Sequence, residues 1–156
     1  MVHRQIWVIL LGLVLTGCAN ITNYKVVERV LDGDTIQLKG GERVRLACID
    51  APELSQPLGI ISRNILAEML NKNNGLITMQ PLRTDKWGRT VALLFVDDTN
   101  INVEMVNIGM AYGFPRFKID CPVWDEIEQL EIRAKQQGLG VWQGNFKRPW
   151  DYRQQP

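Results

Sequence analysis

Residues 43–53 read RVRLACIDAPE, a stretch patterned as a half-buried strand that nevertheless carries charge where a core would exclude it. Val44, Leu46 and Cys48 alternate onto one face. Arg45 interrupts the run, and Asp50 and Glu53 flank the proline that ends it. Strict alternation sets Arg45 and Asp50 on opposite faces, so the two side chains meet only if the strand bends or bulges between them. Neither Gly nor Pro lies between them to mark such a break, and the bulge is an expectation.

Around this strand the pattern is that of a small barrel. YKVVERVL (24–31) and TIQLK (35–39) are β-branched runs separated by Asp32-Gly33-Asp34, a hairpin signal. The stretch 57–71 places Ile61, Ile65, Leu66, Met69 and Leu70 at helical spacing and stops at an Asn-rich turn. LITMQP (76–81) and TVALLFVD (90–97) predict two further strands. A short helix over 100–109 ends at Gly109, and an amphipathic helix over 123–138 ends at Gly138. Five strands, with one helix after the third and two at the end, predict an α+β fold built on a five-stranded OB-fold barrel with three helices.

The 156 residues suffice for one domain, and 46% hydrophobic with 22% charged residues is a globular composition. Residues 1–17 stand apart. His3 and Arg4 precede a ten-residue apolar run that is too short to span a bilayer, and Leu15–Cys18 reads LTGC. This is the layout of a signal peptide ending in a lipobox, with lipidation expected on Cys18. The alternative is a plain signal peptide with an incidental cysteine. The domain plan is leader 1–17, lipidated Cys18 and spacer to 23, folded domain 24–143 and polar tail 144–156. Ala19 rather than aspartate after the cysteine resembles outer-membrane lipoproteins, so an exported, envelope-anchored protein is expected.

Loss of the leader removes Arg4 and leaves the domain formally neutral, so any affinity for nucleic acid must come from local clustering. It also removes His3, the one histidine. A Ser-His-Asp or Cys-His triad and a histidine-ligated zinc site are thereby excluded. Cys48 and Cys121 either pair in an oxidising compartment or remain two buried thiols, and both readings stay open.

The chemistry must then come from carboxylates, arginines and water. Taken singly, Asp34 is a turn residue, Asp50 and Glu53 end a strand, Arg45 is a charge on an open sheet face, and Arg89 follows a Gly-containing hairpin. Together they make a functional set. Asp34 and Asp50 offer hard oxygen ligands for calcium or magnesium. Arg45 and Arg89 offer forks that match phosphate oxygens, and Glu53 can accept a proton from water.

DGDT (32–35), RLACIDAPE (45–53) and TDKWGR (84–89), in this order and spacing, resemble the staphylococcal (micrococcal) nuclease family, and NVEMVNIGMA (102–111) and EIRAKQQGLGVW (131–142) fit it also. The resemblance implies an OB-fold enzyme that hydrolyses DNA and RNA with Ca2+ and leaves 3′-phosphate ends. Carried over by position, it makes Asp34, Asp50 and the Ala51 backbone carbonyl the metal ligands, Arg45 and Arg89 the phosphate-binding arginines, and Glu53 the residue that activates water. The segment from Leu54 to Ile60 is shorter than the family's loop, and two tyrosines of the family fall near Pro115 and Phe117. Lys86, Trp87, Tyr112 and Phe117 are the expected substrate contacts, each with an ordinary turn or packing role as its alternative. The partners expected are DNA, RNA and, through lipid, a membrane, with the protein acting as a monomer. A competing expectation is a binding module on the same barrel whose site has lapsed; a plain structural lipoprotein would leave the charged set unexplained.

Overall fold

A computed structural model describes residues 23–154, so the leader, Cys18 and its lipid lie outside the described residues. Among those described, no helix is long and apolar enough to cross a membrane. β1 (Lys25–Val30), β2 (Thr35–Leu38) and β3 (Arg43–Leu46) form an antiparallel meander. β4 (Ile49–Asp50) follows at once, and α1 (Gly59–Asn71) leads to β5 (Leu76–Thr84) and β6 (Thr90–Val96). β5 pairs antiparallel with both β1 and β6. β3 then pairs in parallel with β6, Val44 opposite Thr90 and Leu46 opposite Ala92, which closes the five long strands into the expected barrel.

β7 (Thr99–Asn100) extends the sheet beside β6, and α2 (Ile101–Asn107), β8 (Tyr112–Gly113) and α3 (Trp124–Gln136) complete the domain. Asn100 caps α2 by accepting from the amides of Asn102 and Val103. α3 carries Asp125 and Glu126 in its first turn and Arg133 and Lys135 in its last, the arrangement that suits the helix dipole. β6 is apolar on both faces because the barrel interior lies on one side and α2 on the other, so it reads as a continuous run. The buried stripe of α1 is Ser62, Leu66 and Leu70, whereas Ile61, expected on that face, is exposed with Ile60.

The expected third strand is interrupted. Its alternation breaks at Ala47 and Cys48, and Cys48 adopts a left-handed φ of 70°, unusual for a residue with a side chain. That single turn supplies the bend that Arg45 and Asp50 require. The bend is buried, so each exposed polar group of its backbone needs a partner. The Ala47 amide donates to Ala92 O (2.8 Å), Cys48 O accepts from the Phe114 amide (2.9 Å), and Ile49 O accepts from Arg45 Nη2 (2.8 Å). Asn102, fully buried, donates from Nδ2 to Ala47 O and Ala92 O while its Oδ1 accepts from the Leu94 amide. β4 then pairs with β8 instead of continuing in the barrel.

Cys48 and Cys121 form a disulfide, which resolves the alternatives left by the sequence. It ties the bend to the loop before α3. The tail, expected to lack regular structure, contains a fourth helix, α4 (Pro149–Tyr152), with proline at its first position. Removing the disulfide with the pair Cys48→Ser and Cys121→Ser frees a loop of 73 residues' separation. Urea denaturation is expected to show a loss of about 4 kcal/mol on the chain-entropy relation.

Candidate active site

The bend turns Arg45 and Asp50 toward each other. Arg45 is only 7% exposed, and its guanidinium lies between two carboxylates. Nε pairs with Asp34 Oδ1 at 3.0 Å, and Nη2 donates to Asp50 Oδ1 at 2.8 Å. Its Nη1 donates to Leu46 O, which leaves one Nη1 hydrogen for a ligand. Asp34 is fixed independently, since its Oδ2 accepts from the Ala51 amide (2.7 Å) and its Oδ1 from the Thr35 hydroxyl (3.0 Å). The engaged group of Ala51 is thus its amide, which holds Asp34.

Gly33 sits at the back of this arrangement for a reason the hairpin signal does not contain. A Cβ there would lie 2.1 Å from Ser62 Oγ and 2.6 Å from the Ala51 side chain. Glycine lets the turn approach α1 and the Asp50 segment, which brings the two aspartates together. Asp32 accepts from the Asp34 amide (3.0 Å) and faces the same cavity. Burial, with the neighbouring charge of Asp34 next in weight, pushes its carboxyl up to about 7. Burial and then Asp34 also push Asp50 upward, against the opposing effects of Arg153 and Arg45. Asp32 was missed in the sequence because a turn aspartate before glycine needs no further explanation.

Arg89 stands across the cavity on the hairpin between β5 and β6. Asp85 accepts from the Trp87 and Arg89 amides and, at 2.7 Å, from Arg89 Nε. Burial would raise the Asp85 carboxyl, but these hydrogen bonds hold it below its ordinary value. The effect is to orient the guanidinium through Nε, with its Nη fork left toward the cavity. Trp87 is 69% exposed, and Lys86 and Arg89 lie 4.5 and 5.0 Å from its ring centre. Those two neighbours make it a stacking surface beside cations.

Asp34, Arg45, Asp50, Glu53 and Arg89 all line one cavity of about 680 Å³, along with Asp32, Asp85, Lys86 and Trp87. Phe117 also lines it, but the ring is 8% exposed beneath the Arg83 guanidinium, 4.5 Å from its centre. Tyr112 is corrected outright. Its ring is 1% exposed, its hydroxyl donates to Val141 O, and it packs edge-on against Trp142. It is a core residue. The sequence offered it as a stand-in for the family's tyrosines near Pro115 and Phe117, with packing as its alternative, and in β8, paired with β4, it takes the packing role.

Arg153 is the larger omission. It reaches the cavity from just beyond α4, where Nη2 meets Asp50 Oδ2 at 2.7 Å and Nη1 meets Glu53 Oε1 at 2.6 Å. Glu53 itself follows Pro52 on a turn closed by Gln56, whose amide donates to Glu53 O (2.8 Å) and whose Oε1 accepts from the Glu53 amide (3.0 Å). No periodicity announced α4. The one available signal was Trp150 and Tyr152 beside Pro149, aromatic content that a solvated tail does not need.

Among the described residues, no group of three or more acidic, histidine or cysteine side chains closes into a ready-made metal cage. The site offers two buried aspartates close together, and their burial with the mutual proximity of their charges raises the proton affinity of Asp50 despite the guanidinium groups beside it. Such a donor set fits a hard divalent cation whose remaining ligands are water and substrate oxygens.

The family described as staphylococcal nuclease homologue matches residues 43–144. An uncharacterized endonuclease of Haemophilus influenzae is 33% identical over 152 residues, covering 93% of this chain and 82% of its own. A micrococcal nuclease of Shigella flexneri is 34% identical, covering 81% and 78% respectively. A thermonuclease of Staphylococcus intermedius is 34% identical, covering 76% and 75%.

The Asp32 carboxyl has a testable consequence. A carboxyl that titrates higher when folded than when unfolded favours folding below its unfolded pKa and loses that contribution as pH rises through about 7. Asp32→Asn keeps an acceptor for the Asp34 amide. In metal-free protein it is expected to raise stability near pH 8 and to change it little near pH 4, measured by urea denaturation at both.

Proposed function

The chain belongs to the staphylococcal nuclease family and is a nuclease that hydrolyses phosphodiester bonds, and on that premise we propose that it cleaves both DNA and RNA with calcium. The cleavage leaves 3′-phosphate ends. The observation that carries this reading is the convergence of Asp34, Asp50, Glu53, Arg45 and Arg89 on one cavity.

In this reading Asp34 and Asp50, with the Ala51 carbonyl, would hold the calcium ion, which would supply charge neutralisation for the phosphate and a more acidic water. Glu53 takes the proton from the attacking water at its carboxylate. Arg89 uses its free Nη fork to hold non-bridging oxygens as negative charge grows on them. Arg45 has a different share. Committed to Asp34, Asp50 and two carbonyls, it positions the acidic pair and has one hydrogen left for phosphate. Trp87 stacks on a base and Lys86 attracts the backbone, contacts that discriminate little between sequences. The protein acts as a monomer, exported and tethered by lipid on Cys18. The sequence of the leader supports export, and the disulfide accords with an oxidising compartment.

Incubation of the purified chain with plasmid DNA and with RNA, in calcium or in chelator, tests the activity. Cleavage abolished by chelator supports the reading, whereas binding without cleavage would mean a lapsed site. Glu53→Gln is expected to lower turnover by about 10²–10⁴-fold. Arg89→Ala should cost on the order of 10²–10³-fold in kcat and leave urea stability close to that of the parent. Arg45→Ala should lower turnover as well, but it also takes the guanidinium partner from buried Asp34 and one of two from buried Asp50, with a stability loss of about 3 kcal/mol.

A further inference from the structure

The tail beyond residue 144 lies outside the family match, yet it is fastened to the site at several independent points. Trp150 stacks on Phe114, with ring centres 5.4 Å apart and planes 27° from parallel. The Arg148 guanidinium sits 4.1 Å from the ring centre of Tyr112 and 4.3 Å from that of Trp142. Gln56, buried beneath the tail, donates from Nε2 to Lys147 O (2.9 Å), and the hydroxyls of Tyr152 and Ser55 are 3.0 Å apart. Arg153 is therefore delivered to Asp50 and Glu53 by packing that does not depend on those acids.

Its placement sets up a conflict. Asp50 Oδ2 accepts from Arg153 Nη2, and Oδ1 accepts from both Arg45 and Arg153 Nη1 (3.2 Å), so both oxygens of one expected cation ligand face guanidinium. The proton acceptor Glu53 is paired with the same group. A divalent ion on Asp50 would stand within a few ångströms of a fixed positive charge, and the two repel. Arg45 cannot withdraw, because it is buried within the barrel wall. Arg153 can, because its side chain is 42% exposed and follows directly on the four-residue α4.

We propose that α4 is an internal competitor for the cation site: Arg153 takes the place of positive charge on Asp50 and Glu53 when calcium is absent, and α4 must release it for calcium to bind. The inference rests on the reading that Asp34 and Asp50 hold a divalent cation. It adds that the affinity of the site is set by a segment outside the barrel. Release also frees Glu53 to accept a proton, so cation binding and readiness of the base are one event.

Calorimetric titration of calcium ion alone into the parent protein, Arg153→Ala and Trp150→Ala tests this, with circular dichroism confirming that each variant is folded. Arg153→Ala removes the competing charge, while Trp150→Ala leaves the arginine and loosens the helix that carries it. Both are expected to bind calcium about tenfold more tightly than the parent, the scale of one like charge at a partly solvated site. The calcium midpoint for plasmid cleavage should fall in parallel. Unchanged or weaker binding by Arg153→Ala overturns the competition. Tighter binding by Arg153→Ala but not by Trp150→Ala overturns the release of the helix. Failure of all three proteins to bind calcium, with cleavage insensitive to chelator, instead overturns the cation reading and the competition with it.

Discussion

A guanidinium buried between two carboxylates is stable only if every partner is in place, because any one of the three charges left alone in the interior is severely destabilising. Arg45 between Asp34 and Asp50 is such a group, and much of the local architecture serves it. The left-handed turn at Cys48 points the two ends of one strand at each other. Asn102 and the disulfide hold that turn from behind, and Gly33 lets the hairpin carrying Asp34 come close enough. Fold and site are consequently specified by the same residues. The barrel wall cannot be rebuilt at β3 without moving the acids.

This arrangement also accounts for how a chain with almost balanced charge can favour a polyanion. The cavity is lined by Arg43, Arg83, Arg89 and Arg116 around the central acids, with Lys86 at its edge. Opposite charges are segregated by position. Arg43, Arg83 and Arg116 lie exposed at the rim, while Asp34 and Asp50 stay buried and tied to Arg45. Net charge carries no information at this scale, because fields near a partly enclosed surface depend on the nearest few groups.

The barrel was legible because its signals are local and redundant. Alternation marked β1 and β2, a continuous apolar run marked β6, and helical spacing marked α1 and α3. The charged set was legible because several weak motifs coincided. What escaped depended on distant partners. Cys48 takes a left-handed turn that local preference disfavours, and it does so because Asn102, Phe114 and Cys121 close around it. Arg153 follows an aperiodic tail whose helix exists through Trp150 and Phe114. Ile61 satisfied a helical period yet lies outside, since Ser62, bonded to Met110 O, takes the inward position. Tyr112 looked like a contact for the opposite reason, that nothing local reveals which way a two-residue strand turns.

The parallel junction of β3 with β6 fixes the order in which the site can be assembled along the chain. A chain still growing at its C-terminal end has Arg45 and Asp50 early, but the strand that seats Arg45 only once residue 92 has emerged, and the amide that props the turn only at residue 102. Completion of the wall that holds Arg45, and of the support behind its turn, therefore waits for residues 92 and 102, so the acidic pair is set in place only after most of the barrel has been made.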